Sequence, residues 1–186
     1  DENWSVKDMI REIVMSDTYR RSSRYNQANY AVDPDNKFLW RANPRQIDAE
    51  SIRDAMLAMS GRLKLDRPRA SAVASGGGRP GSVNQDSSDT HRSVYLPIVR
   101  DRLPAALDLF DFPDPNITSA GRSESIVPTQ ALYMMNGDFV TAQARGMSAN
   151  LAKRFPSTRE QVRYAFAWAY GRPATEEELE ARAEFF

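Results

Sequence analysis

The chain has 186 residues, 41 % hydrophobic and 27 % charged, with 25 basic residues against 25 acidic ones and no cysteine. That balance leaves no global field to draw nucleic acid or an anionic membrane surface. The missing thiols exclude disulfides, cysteine catalysis, thiolate-held metal and a Cys-x-x-Cys-His haem attachment. No segment approaches 18 consecutive apolar residues, so no membrane insertion is expected, and the length suits one domain with its own core. The opening Asp1-Glu2-Asn3-Trp4 has neither a basic region nor an apolar stretch, so it is not a signal peptide. Because a helical pattern follows at once, the chain reads as a piece of something longer.

Ser5 is placed to cap a first helix through Ile13 and Val14, in which Val6, Met9, Ile10, Ile13 and Val14 make one apolar stripe. Residues 16–34 are polar and aromatic without a sustained period, which predicts a loop. Asp33-Pro34-Asp35-Asn36 is turn chemistry, and Phe38-Leu39-Trp40 is expected to turn inward. Ile52, Ala55, Met56, Met59 and Leu63 predict the buried face of a second helix, with Glu50, Arg53 and Asp54 as its charged side. Were that set buried, it would be unusual.

Residues 64–92 hold almost no apolar side chains and read as a flexible loop or insert. Its Gly76-Gly77-Gly78 run lacks the following helix and lysine of a phosphate-binding loop. Residues 93–99 have strand composition, with Pro97 confining them to an edge or ribbon. A short helix through Leu103, Ala106, Leu107 and Phe110 ends at a proline-rich turn, and a second long loop runs from Ile117 to Pro128. Thr129, Asp138 and the Ser157-x-x-Glu160 capping box then open three helices, with Phe139, Ala142, Gly146, Ala149 and Phe155 as inner positions of the middle one. Gly171 ends the last of them, and Thr175-x-x-Glu178 is a second capping box. The expected fold is mainly α: about six helices, one short strand-like segment or ribbon, and two long loops.

Several ordered blocks carry a family likeness. They are Tyr19–Asn26, Asp33–Arg41, Arg45–Leu57, Arg92–Arg100, Leu109–Asn116, Val127–Leu132 and Tyr170–Leu179. Together they resemble the planctomycete-specific C-terminal domain of unknown function that accompanies cytochrome c-like domains in large exported proteins. The likeness runs from Trp4 to Leu179, and family members carry more helical sequence ahead of Trp4. Residues 1–186 therefore look like the C-terminal three-quarters of that domain. The resemblance implies an extracytoplasmic (periplasmic or cell-surface) location and other domains of the same protein as partners. Haem would sit only on those neighbours, with no cofactor in this chain. It brings no catalytic residues with it.

Candidate chemistry is sparse. His91, the one histidine, needs an orienting carboxylate to act as a general base, and Asp86 and Asp89 are near it in sequence. Asp111, Asp114 and Asn116 put three oxygen ligands within six residues, a weak calcium candidate that reads first as a capped turn. Arg92, Arg100, Arg102 and Arg122 could face an anionic group if their loops converge, with Asp101 and Glu124 among them. Asp111, Asp114 or Glu124 with those arginines, and His91, are the residues a hydrolase would use. Tyr19, Tyr25, Tyr30 and Trp40 offer a sugar-stacking surface or a sealed junction. The reading favoured is a non-catalytic interaction or scaffold module, with a glycan as a second ligand class. The alternative is a carbohydrate-active hydrolase.

Overall fold

The computed structural model describes residues 4–68, 89–98 and 103–183. It is mainly helical, with eight α-helices among those residues and no strand beyond an isolated bridge between Lys64 and His91. The chain divides into two compact units, residues 1–46 and 47–186.

The first unit contains α1 (Val6–Met15) and α2 (Gln27–Val32). Ser5 caps α1 by accepting the Asp8 amide, as its position predicts; the loop expected over residues 16–34 instead contains α2, which Asn26 caps through the Asn29 amide. The stripe Val6, Met9, Ile10, Ile13 and Val14 forms as expected, yet no residue of α1 is buried. What is buried in this unit is polar. The Asp33 carboxylate accepts the Lys37 and Phe38 amides, and its carbonyl accepts the Trp40 indole N–H. Asn36, at φ +55°, donates its side-chain amide to the Arg41 carbonyl and to Asn43 Oδ1. The left-handed backbone there suits asparagine. Phe38 and Leu39 do not turn inward as expected: both are exposed, because the turn is organised around Asp33 and Asn36.

The second unit is built on α3 (Ala49–Met59), which packs against α4 (Ala105–Leu109), α6 (Asp138–Arg154) and the 3₁₀ turn Ser93–Tyr95. Ala49, Leu96 and Leu107 form one apolar cluster with Ile98, Phe110 and Phe112 beside it. Met56, Leu57 and Phe139 form another, flanked by Ile52, Met59, Leu63 and Val140. The buried stripe of α3 is therefore Ala49, Arg53, Met56 and Leu57, rotated from the predicted one, and Ala55 faces solvent. Helix α6 approaches the end of α3 closely enough that a Cβ on Gly146 would stand 3.1 Å from the Ser60 Cβ. Ser60 also meets Gln143 at 2.9 Å, and Asn150 donates to the Ser60 carbonyl.

Four further expectations change. The strand-like segment becomes a 3₁₀ turn over Ser93–Tyr95, because its polar groups are bound to α3 rather than to a neighbouring strand. Helix α5 (Pro128–Asn136) begins one residue before Thr129, with proline in the first turn and Gln130 reaching back to the Val127 amide. Helix α6 takes Gly137 rather than Asp138 as its cap, and its buried positions are Phe139, Gln143 and Leu151; Ala142 and Ala149 are exposed. Ser157 precedes α7 (Thr158–Tyr170) without a side-chain cap bond. The last signals form as predicted. Gly171 ends α7 at φ +62°, and Thr175 and Glu178 exchange hydrogen bonds at the start of α8 (Glu176–Ala183). The loop expected at 64–92 has residues 69–88 outside the described range.

Candidate functional site

Glu50, Arg53 and Asp54 lie three and four residues apart on α3, so they form one polar row along the helix. Each member holds a segment distant in sequence. Arg53 is 2 % exposed. Its guanidinium donates to the carbonyls of Asp89 and His91 and to the Ser93 hydroxyl. It also lies 3.8 Å from Asp54 and 5.6 Å from the Phe139 ring centroid. Asp54 accepts the Ser93 amide at 2.7 Å and its hydroxyl at 2.6 Å. A buried guanidinium is tolerable only when its donors are met and a counter-charge is near, and both conditions hold. One turn earlier, Glu50 receives both terminal nitrogens of Arg122, at 2.6 and 2.7 Å. The Arg122 hydrogen bonds, offset in part by burial, hold the Glu50 carboxyl below its ordinary range, and Arg122 is raised in return.

His91 finds its orienting carboxylate. Asp89 Oδ1 stands 2.7 Å from the ring Nδ1 and also accepts the His91 amide. With Asp89 ionised, that contact places the ring proton on Nδ1. Nε2 points toward Asp66 at 4.0 Å. Burial pulls the Asp89 carboxyl upward, but the hydrogen bonds from the His91 amide and ring, with the charges of His91 and Arg53, outweigh it and leave it lowered. An imidazole oriented by a carboxylate is the arrangement that a general base would require. The nearby hydroxyl, Ser93, is turned to Asp54 and Arg53 instead.

The other predicted residues separate. Arg92 is exposed, 3.8 Å from Asp54, and belongs to the 89–93 segment, whereas Arg122 sits with Glu50 and over the Phe112 ring. Asp111, at φ +59°, gives its two oxygens to the amide and hydroxyl of Ser125. Glu124, one residue before that serine, is exposed. Asp114 accepts the Asn116 amide within its own turn, both residues being exposed. Asp86, Arg100, Asp101 and Arg102 lie outside the described residues. Among the described residues, no three metal-binding side chains gather. Of the proposed aromatic surface, Tyr25 packs with Tyr30 and Trp40, and Arg41 lies 4.9 Å from the Trp40 ring centroid. Tyr19 is exposed.

Sequence reasoning did not place Arg53, Ser93 and Ser125 at the centre of these contacts. For Arg53 a signal existed: it lies four residues from both Ala49 and Leu57, inside the stripe those two define. The serines gave none, since a hydroxyl in a polar loop looks the same whether it is solvated or bound.

Comparison with known proteins supports a domain of unknown function. The family described as "Protein of unknown function (DUF1553)", also PSD1, matches residues 1–186. The chain belongs to the DUF1553 family. No curated protein and no solved structure matches it. Among its described residues no helix is long and apolar enough to cross a membrane.

Proposed function

We propose that this DUF1553 chain is a non-catalytic interaction module that packs against companion domains of a longer, exported protein, any haem residing on those companions. The observation that supports it most is where the reactive side chains spend their hydrogen bonds. Glu50, Asp54, Asp89 and Asp111 each hold a loop of this same chain through charged or backbone donors. Groups committed in that way position a scaffold, whereas a hydrolase needs carboxylates turned toward a substrate. The surface offered to a partner is the α1 stripe, with Val6, Met9, Ile10 and Ile13 each more than half exposed. An amphipathic helix with a solvated apolar face is the usual form of a helix that docks into a groove.

The test uses the companion domains as separately purified proteins. Micromolar association by calorimetry is expected, and the double change Met9→Glu and Ile13→Glu should weaken it at least tenfold. Glycosidase turnover that is abolished by Asp111→Asn would replace this reading with the hydrolase.

A further inference from the structure

A second feature lies far along the chain from both α1 and the α3 row. The face of α7 bearing Glu160, Arg163, Tyr164 and Ala167, with the turn Gly171-Arg172-Pro173, lines an open hollow of about 500 Å³. That volume is within the range of small-ligand sites. We infer that this hollow binds a neutral sugar ring, with Tyr164 as its stacking platform.

Tyr164 stacks on Phe155 at 4.0 Å with an interplanar angle of 18°. One ring face is thus covered, while Tyr164 as a whole stays 43 % exposed and lines the hollow. A ring held flat from behind presents a rigid apolar plane, which the C–H face of a pyranose matches at little entropic cost. Small residues line the same hollow. Ala167 follows Tyr164 by three positions, and a Cβ on Gly171 would meet nothing within 4 Å.

The rim supplies polar groups of both kinds. Arg163 donates only, and Glu160 accepts only; hydroxyls do both, and a ring of them can bridge such a pair. Arg172 is held in place by Glu178 at 2.6 and 2.8 Å, and lies 5.4 Å from the Phe166 ring centroid and 5.7 Å from that of Tyr170. The balance of charge argues against a phosphate or sulfate group. Arg172 faces Glu178, Arg159 and Arg163 share Glu176, and Glu160 on the rim supplies the third carboxylate, so three arginines meet three glutamates and no net positive charge remains to reward an anion. A neutral polyol suits this rim better.

The inference stands apart from the docking reading, since α1 takes no part in the hollow. Its test is a ¹⁵N-NMR titration of the full chain with cellohexaose, maltohexaose, chitohexaose and mannohexaose, and with decaproline as the competing peptide class. At least one sugar should bind with amide shifts centred on Tyr164, Ala167 and Gly171. Tyr164→Ala should weaken that binding at least tenfold. Ala167→Leu, which fills the hollow while leaving the Phe155 stack intact, should weaken it similarly, and Trp40→Ala should leave it unchanged. Three outcomes overturn the inference: no shifts with any of the four sugars, sugar shifts centred on Tyr25, Tyr30 and Trp40, or a response of the hollow to decaproline alone.

Discussion

Residues 4–46 and 47–183 are held by different forces. In the first region the described buried side chains are Asp33 and Asn36, and its large apolar residues, from Val6 to Leu39, are exposed or at best half-covered. In the second, Ala49, Met56, Leu57, Leu96, Leu107, Phe139, Leu151 and Leu179 are buried, and polar groups such as Arg53 and Gln143 lie among them fully bonded. A segment of some forty residues rarely builds a sufficient core of its own. Here local side-chain-to-backbone bonds set its shape, which leaves its apolar surface available to something else. That difference is what the proposed docking role rests on.

The largest effect should come from the apolar core. Leu57→Ala opens a cavity beneath α3 and is expected to cost about 4 kcal/mol. Thermal unfolding followed by the Trp40 indole N–H resonance would sharpen the comparison. That proton is bonded to the Asp33 carbonyl, so its signal in the folded variant should not shift. A shift would show that the two regions share their stabilisation.

Arg53→Met should cost about 3 kcal/mol, because it strands the carbonyls of Asp89 and His91 and removes the charge beside Asp54. In the first region the matching change is Asp33→Ala, expected to cost about 2 kcal/mol by freeing the Lys37 and Phe38 amides. Its readout is loss of the Trp40 indole shift while melting of the second region is unaltered. If Asp33→Ala lowered both signals together, the division into two differently held regions would break.

Both regions were unequally legible in the sequence. Helix positions follow from periodicity and from caps such as Ser5, Gly171 and the Thr175–Glu178 box, because those signals are local, whereas the short helix Gln27–Val32 lies where the aperiodic sequence read as loop. The face of α3 was misjudged because Arg53 scores as a solvent residue, and only its contacts with a segment some 38 residues away make burial tolerable. The 89–98 segment failed for a related reason: Val94, Tyr95 and Ile98 have strand composition, yet no partner strand exists among the described residues and α3 takes up the polar groups instead. At the candidate site, the His91–Asp89 pair was legible from a spacing of two residues. The Glu50–Arg122 and Asp111–Ser125 pairs were not, since nothing in the sequence joins positions 72 or 14 residues apart.

The smallest effect is on acid stability. Asp89 has its folded pKa lowered from 3.8, so its contribution is complete above that unfolded value and is lost as pH falls through the lower folded one. Asp89→Asn should therefore flatten the acid limb of stability below about pH 4, in proportion to a modest, partly solvated interaction. An unchanged acid limb would mean that the His91–Asp89 contact is absent in solution.

The most direct test of the claim that the α3 row is a clamp for two loops is amide hydrogen exchange in Arg53→Met and Glu50→Gln. Residues 89–96 should lose protection in the first variant and residues 122–127 in the second, each without the other. Unchanged exchange in both segments would contradict the account and return Glu50, Arg53 and Asp54 to consideration as groups kept for chemistry.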